Sequence, residues 1–216
     1  MATLHEAQLR PTKIELLSRW VPTQSWSAGV DTSVLESVGA YRFDDPDGEV
    51  GVETHLLRAK DNQIIQVPLT YRARMLEGAD SSLITTMQHS VLGERWIYDA
   101  SVDPVYARTL AATILLGGEQ AELIYVGGDV PQKREATTRV RGSGSPTETV
   151  PGIESVTFDH AGRETIIDTG DVTLRVRRVV DTGSDDDPIN DATLEGRWPG
   201  HDQWTVLSTA RRNQRR

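Results

Sequence analysis

Five histidines, at 5, 55, 89, 160 and 201, and the acidic run Asp185-Asp186-Asp187 are the residues of this chain best suited to metal or acid–base chemistry. The histidines stand singly. None has a second histidine four residues on, the spacing that lets one helix face hold zinc. His160 follows Asp159, and His201 precedes Asp202, but neighbours along a chain do not project together, so neither couple is expected to trade protons. The acidic turn at 181–187 offers carboxylate oxygens, yet it lacks the alternating ligands and the closing bidentate Glu of an EF-hand loop. It reads as a solvated turn. Gly142-Ser143-Gly144-Ser145-Pro146 reads as linker, because a nucleophile elbow needs Gly-x-Ser-x-Gly between a strand and a helix. Asp99 and Asp103 suggest a carboxylate pair, but Asp103 is accounted for as a helix cap. No catalytic, metal-binding or cofactor-binding residue is assigned, and no cofactor is expected.

Tryptophan is the remaining chemistry. Five of them, at 20, 26, 96, 198 and 204, stand in a chain with only 6% aromatic residues. Trp stacks on sugar faces and anchors interfaces. Trp20, on the apolar side of a helix, and Trp96, in a strand, are expected to pack in the core. Trp26, Trp198 and Trp204 are the candidate contacts for a ligand or partner, with Trp204, beside a turn, the one expected at the surface.

The elements that must position these residues follow from pattern. At 216 residues the chain suits one sizeable domain or two small ones, and such a length buries enough surface to need no disulfides. Cysteine is absent, which removes disulfides, thiolate zinc sites and thiol nucleophiles together and suits a cytoplasmic setting. A net charge of −9 argues against nucleic acid as a partner. The first residues contain no apolar run of signal-peptide type, and the longest apolar stretch, at 110–116, is too short to span a bilayer, so no membrane role is expected.

Residues 1–11 read as a flexible lead-in. Thr12 and Glu15 fit a capping box that opens a short amphipathic helix, and Pro22 ends it. Residues 33–43, 50–59 and 63–74 read as an antiparallel meander with a turn at 44–48. Pro68 inside the third run places that strand at an edge or at a bulge. A hairpin over 83–99 follows. Asp103 as N-cap, Pro104 at the first helical position and Gly117-Gly118 at the end define a second helix, with Tyr106, Leu110 and Ile114 repeating along one face. Residues 121–126 read as a strand and 127–151 as a linker or long loop. A β-rich extension occupies 152–210. In it Val172, Leu174 and Val176 alternate with polar residues, and a last hairpin joins 192–198 to 205–210. Residues 211–216 read as a basic tail.

Taken in order, the segment Leu16-Leu17-Ser18-Arg19-Trp20-Val21-Pro22-Thr23-Gln24-Ser25-Trp26, the strand Gln66-Val67-Pro68-Leu69, and Tyr98-Asp99-Ala100 running into Asp103-Pro104 resemble the N-terminal cap domain of maltokinase and related actinobacterial sugar kinases. The resemblance covers about residues 12–126. It extends to stand-alone bacterial proteins in which such a cap is followed by a β-rich segment like Leu194-Glu195-Gly196-Arg197-Trp198-Pro199-Gly200. It implies an α+β fold: a curved, cystatin-like antiparallel sheet with two main helices, plus the β-rich extension. It implies no active site, because the ATP and sugar sites of those kinases lie in other lobes. In keeping with this, no histidine begins a His-x-Asp segment, and no Gly-x-x-x-x-Gly-Lys-Ser/Thr loop occurs.

The expected function is therefore a non-catalytic binding or regulatory module, not a kinase by itself, associated through its relatives with glucan, trehalose or maltose metabolism and with a sugar kinase or glucan-metabolism enzyme as partner. Two alternatives stand beside it. One is an enzyme whose site lies at the junction of the cap and the extension. The other is a structural homo-oligomer formed through edge strands near Pro68 or in the last hairpin.

Overall fold

The structure is a computed structural model that describes residues 2–5, 9–126, 131–180 and 191–214. Along the chain come β1 (Ala2–His5), β2 (Leu9–Arg10), α1 (Lys13–Trp20), β3 (Leu35–Phe43), β4 (Gly51–Ala59), β5 (Ile64–Arg72), β6 (Leu83–His89) and β7 (Gly93–Asp99). Then follow α2 (Pro104–Leu115), β8 (Leu123–Val126), β9 (Gln132–Arg134), β10 (Arg139–Gly142), β11 (Thr157–Ala161), β12 (Glu164–Asp168), β13 (Val172–Arg177), β14 (Val179–Val180), β15 (Ala192–Trp198) and β16 (His201–Arg212). The class is α+β, rich in antiparallel sheet, with two α-helices among the described residues. No helix is long and apolar enough to cross a membrane.

Both helices begin as their sequences dictate. The Thr12 side chain accepts from the Glu15 N–H while Glu15 reaches back to the Thr12 N–H, closing the capping box of α1. Asp103 accepts from the Val105 N–H, and Pro104 stands at the first position of α2, where no N–H is needed.

The meander forms the middle of a larger sheet in the order β2-β6-β7-β5-β4-β3, with β14 beside the start of β5. The strand holding Pro68 is therefore central, not at an edge, and its register with β4 runs unbroken from Gly51↔Tyr71 to Arg58↔Ile64. The reason lies on its other side. There β14 pairs Ile64 and Ile65, β7 pairs Leu69 to Arg72, and the Gln66 N–H points that way, toward the Arg178 carbonyl. Pro68, two residues on, aims its missing donor at the gap between those two neighbours.

A second sheet has the order β10-β15-β16-β13-β12-β11. The last hairpin is in its interior as well, so neither strand expected to present an edge does so. Pro199 and Gly200 make its two-residue turn, with Gly200 at φ +83, a conformation glycine adopts without strain. A small third sheet, β1-β8-β9, contains the parallel pair β1–β8.

The first sheet uses both faces. One carries α1 and a core of Leu16, Leu17, Val21, Trp26, Leu57, Ile65, Val67, Leu69 and Ile97. The other contributes Tyr41, Phe43, Val52 and Leu56 to a larger core. That core also holds Tyr106, Leu110 and Ile114 of α2 and the inner face of the second sheet, including Val140, Leu174, Leu194, Trp198 and Leu207. One apolar interior thus spans the first and second sheets.

The stretch read as linker over 127–151 includes β9 and β10 among its described residues. Its glycines are close contacts with the end of α2. The Gly144 and Ser145 N–H groups donate to the carbonyls of Ile114 and Leu115, both at 2.9 Å, and Gly142 donates to Gly118 at 2.8 Å. These bonds satisfy carbonyls that a helix end leaves open. The basic tail is also held in part: Arg211 pairs with Asp191, and Asn213 bonds Thr173 and the Gly170 carbonyl.

Candidate functional site

The polar groups most deeply enclosed lie where the two sheets meet. Along β13 the inward positions are Val172, Leu174 and Val176, and the next at the same period is Arg178, which links β13 of one sheet to β14 of the other. Arg178 is fully buried. Its Nη2 donates to both Asp99 oxygens at 2.7 and 2.8 Å and lies 3.2 Å from Ser101 Oγ, while Nε donates to Thr165 Oγ1 at 2.7 Å. The guanidinium also sits 5.2 Å from the centre of the Trp26 ring. Beside it, Gln66 accepts from the Tyr41 hydroxyl and donates to the carbonyls of Arg177 and Leu207, binding β5 to two strands of the second sheet.

Thr165 extends this network to His160. His160 Nδ1 stands 2.9 Å from the Thr165 oxygen that accepts from Arg178. Burial, then the nearby Arg178 charge, pull its pKa below the usual histidine value of 6.5. Asp99 and Asp159 act in the opposite sense.

A second cluster lies on the α1 face of the first sheet. Glu53 is buried, and its Oε2 accepts from Lys13 Nζ at 2.5 Å, with Arg42 at 3.2 Å and His55 Nε2 at 3.5 Å. The Tyr71 hydroxyl stands 3.3 Å from His55 Nε2. Burial works against the Glu53 charge, but Lys13, Arg42 and His55 together hold its pKa well below 4.5. Burial and the Glu53 charge hold the Tyr71 phenol well above its usual value. This arrangement fastens the start of α1 to β3 and β4.

These two groups predict a two-stage loss of stability in acid. The unfolded chain binds a proton at position 160 more readily than the folded one, so stability falls as pH drops below 6.5. Glu53 acts below 4.5, where the unfolded carboxyl protonates first and the folded ion pairs are then lost. Urea melts between pH 8 and 3 are expected to show both stages, and His160→Gln should remove the upper one. A wild-type stability that stays flat from pH 7 to 5.5 would contradict this.

The remaining residues singled out from sequence are distributed as follows. Asp99 and Asp103 are not brought together: Asp99 pairs with Arg178, and Asp103 caps α2 and receives Arg72 through two bonds of 2.7 Å. His89 accepts from the N–H groups of Val91 and Leu92 in its hairpin turn, and His201 bonds Thr205. Among the described residues no three His, Asp or Glu side chains group as metal ligands. The acidic turn at 181–187 lies outside the described residues, as does the side chain of His5. Trp26 and Trp198 are buried, Trp26 edge-on to Trp20 and Trp198 stacked on His201 at 4.5 Å. Trp204 is half-buried on the outer face of the second sheet, with Arg141 at 4.1 Å and Arg197 at 4.9 Å from its ring centre.

Sequence reasoning missed Arg178, Gln66 and the Glu53 cluster. For Arg178 a signal existed, since the period-two run of β13 points it inward, and a buried guanidinium requires a carboxylate. Gln66 stood out only as part of the resembling strand Gln66-Val67-Pro68-Leu69, and neither its bonding nor that of Glu53 was legible short of the strand pairing itself.

Residues 20–103 match the model of the maltokinase N-terminal cap domain, so this part of the chain is similar to such a cap. The match spans α1's last residue through β7 to the N-cap of α2, less than half of the chain. No curated protein matches the sequence.

Proposed function

We propose that this chain, similar over residues 20–103 to a maltokinase N-terminal cap domain, is a non-catalytic binding or regulatory module acting in the cytoplasm in glucan, trehalose or maltose metabolism. Its partner in this reading is a sugar kinase or glucan-metabolism enzyme, and its cap sheet takes the curved, cystatin-like form of such caps. The observation that supports it is how the buried charges are used. Glu53, Asp99 and Asp103 each meet a cation contributed by a different element, and each such contact fastens elements to one another. A carboxylate so engaged is a brace, whereas acid–base work needs a group poised to exchange its proton.

The experiment is a survey with the purified chain. Maltose, trehalose, a soluble glucan and ATP are tested by thermal shift and calorimetry, and a maltokinase is tested by sedimentation velocity. The expected result is binding of one of these with no chemical change in it. Turnover of any of the small molecules by the chain alone would overturn the proposal, and so would the absence of every interaction.

A further inference from the structure

The outer face of the second sheet contains an arrangement that the fold itself does not explain. In the register of β10 and β15, Arg139 stands directly opposite Arg197, and Arg141 opposite Glu195. Like charges facing one another across strands are destabilising. Arg141 is held by Glu195 at 2.7 Å, and Arg139 by Glu135 at 3.0 Å, whose side chain is 84% exposed. Among the described residues no carboxylate pairs with Arg197; its guanidinium lies over Trp204 instead. The alternation along each strand places these groups together, because Val140, Leu194, Gly196 and Trp198 all point inward and leave Arg139, Arg141, Glu195 and Arg197 outside. The Arg139 and Arg141 side chains are 53% and 50% exposed.

The geometry points to this face as a docking surface for an acidic protein partner, one of whose carboxylates bridges Arg139 and Arg197 while Trp204 holds the flanking guanidiniums in place. Arginine suits that task because its planar fork binds a carboxylate through two parallel hydrogen bonds. Arg and Trp are also the residue types that most often dominate interface energetics. The Trp204 ring has guanidiniums against it, so a sugar would have to displace one to stack there. A nucleic acid carries a charge about every 1.7 Å and would meet the repulsion of the whole acidic chain, while a partner presenting two or three carboxylates meets the local positive field. The existing pairs with Glu135 and Glu195 do not block docking, since exposed ion pairs are worth only about 0–1 kcal/mol and exchange readily.

This inference rests on the reading of the chain as a binding module, but it fails separately: turnover by the chain would remove that reading, whereas the experiment below concerns this face alone. A fluorescein-labelled peptide of three glutamates flanked by Gly-Ser repeats is titrated with the full chain and followed by anisotropy at 50 and 300 mM salt. Binding is expected at low salt and should weaken at high salt, as charge pairing in water does. Arg197→Glu and Arg139→Glu should each weaken it at least tenfold, while Arg74→Glu, exposed in the bend after β5, should change it less than twofold. Thermal melts establish that the variants fold. Should Arg197→Glu fail to fold, Arg197→Gln, which removes the charge and keeps the size, carries the comparison and should weaken binding at least threefold. Failure of the peptide to bind, or equal binding by the Arg197 variants, would overturn the inference. So would binding of inorganic phosphate, a maltooligosaccharide or a single-stranded oligonucleotide that depends on Arg197 when the peptide's does not.

Discussion

Replacing Arg178 with methionine is expected to lower the stability of the chain by about 3–5 kcal/mol, because it leaves the Asp99 carboxylate enclosed without its cation. The loss has several parts. Asp99 loses two short hydrogen bonds, and Thr165 loses its donor. Methionine fills most of the volume, so little of the effect is a cavity. The double variant Asp99→Leu with Arg178→Met tests the cause. Removing both charges together leaves no uncompensated ion and should recover most of the lost stability. Urea denaturation followed by tryptophan fluorescence reads both changes, and Trp26, against the guanidinium, reports from the site itself. A single-variant loss below about 1 kcal/mol would show that Asp99 finds other partners.

The second large effect concerns the glycines of the Gly-Ser segment. A Cβ on Gly142 would stand 2.0 Å from the Thr113 carbonyl oxygen, and one on Gly144 would stand 2.0 Å from that of Leu115. Neither obstacle is the tip of a flexible side chain. Both belong to the backbone of α2, so the segment must move away and give up the hydrogen bonds it makes to Ile114, Leu115 and Gly118. Gly142→Ala and Gly144→Ala are each expected to cost about 3 kcal/mol, at the upper end of what overpacking does. Gly152→Ala, with nothing within 4 Å of the added atom, should stay within about 0.5 kcal/mol of the parent chain. If thermal or urea melts rank the three variants alike, the close approach at the end of α2 is not a constraint on the fold.

These sites also show what a sequence can and cannot disclose here. Caps were legible because they are local: Thr12 with Glu15, and Asp103 with Pro104, sit within four residues of the groups they satisfy. Strands were legible from alternation, and β13 is the clearest of them. Neighbours were not. Pro68 suggested an edge because its missing donor forbids a continuous ladder, yet two different strands flank β5 and the donor faces the space between them. Gly142 and Gly144 looked like linker because glycine has the same composition signal whether it serves freedom or close approach. Tryptophan was less legible: Trp204 is half-buried, and Trp26 and Trp198, candidates on the same grounds, lie in the two cores. Family resemblance supplied the cap, and the structure supplied its connection to the extension.

That connection carries a consequence for how the chain acquires its form. Gln66, in the middle of the cap sheet, donates to the carbonyl of Leu207, a residue 141 positions later, and Asp99 waits for a cation 79 positions away. On a ribosome the cap strands emerge long before the residues that neutralise and cover them. A chain whose contacts join such distant positions folds slowly, since each contact must first close a long loop. Asp99 therefore cannot meet its cation, nor Gln66 the Leu207 carbonyl, before residues 178 and 207 have been made.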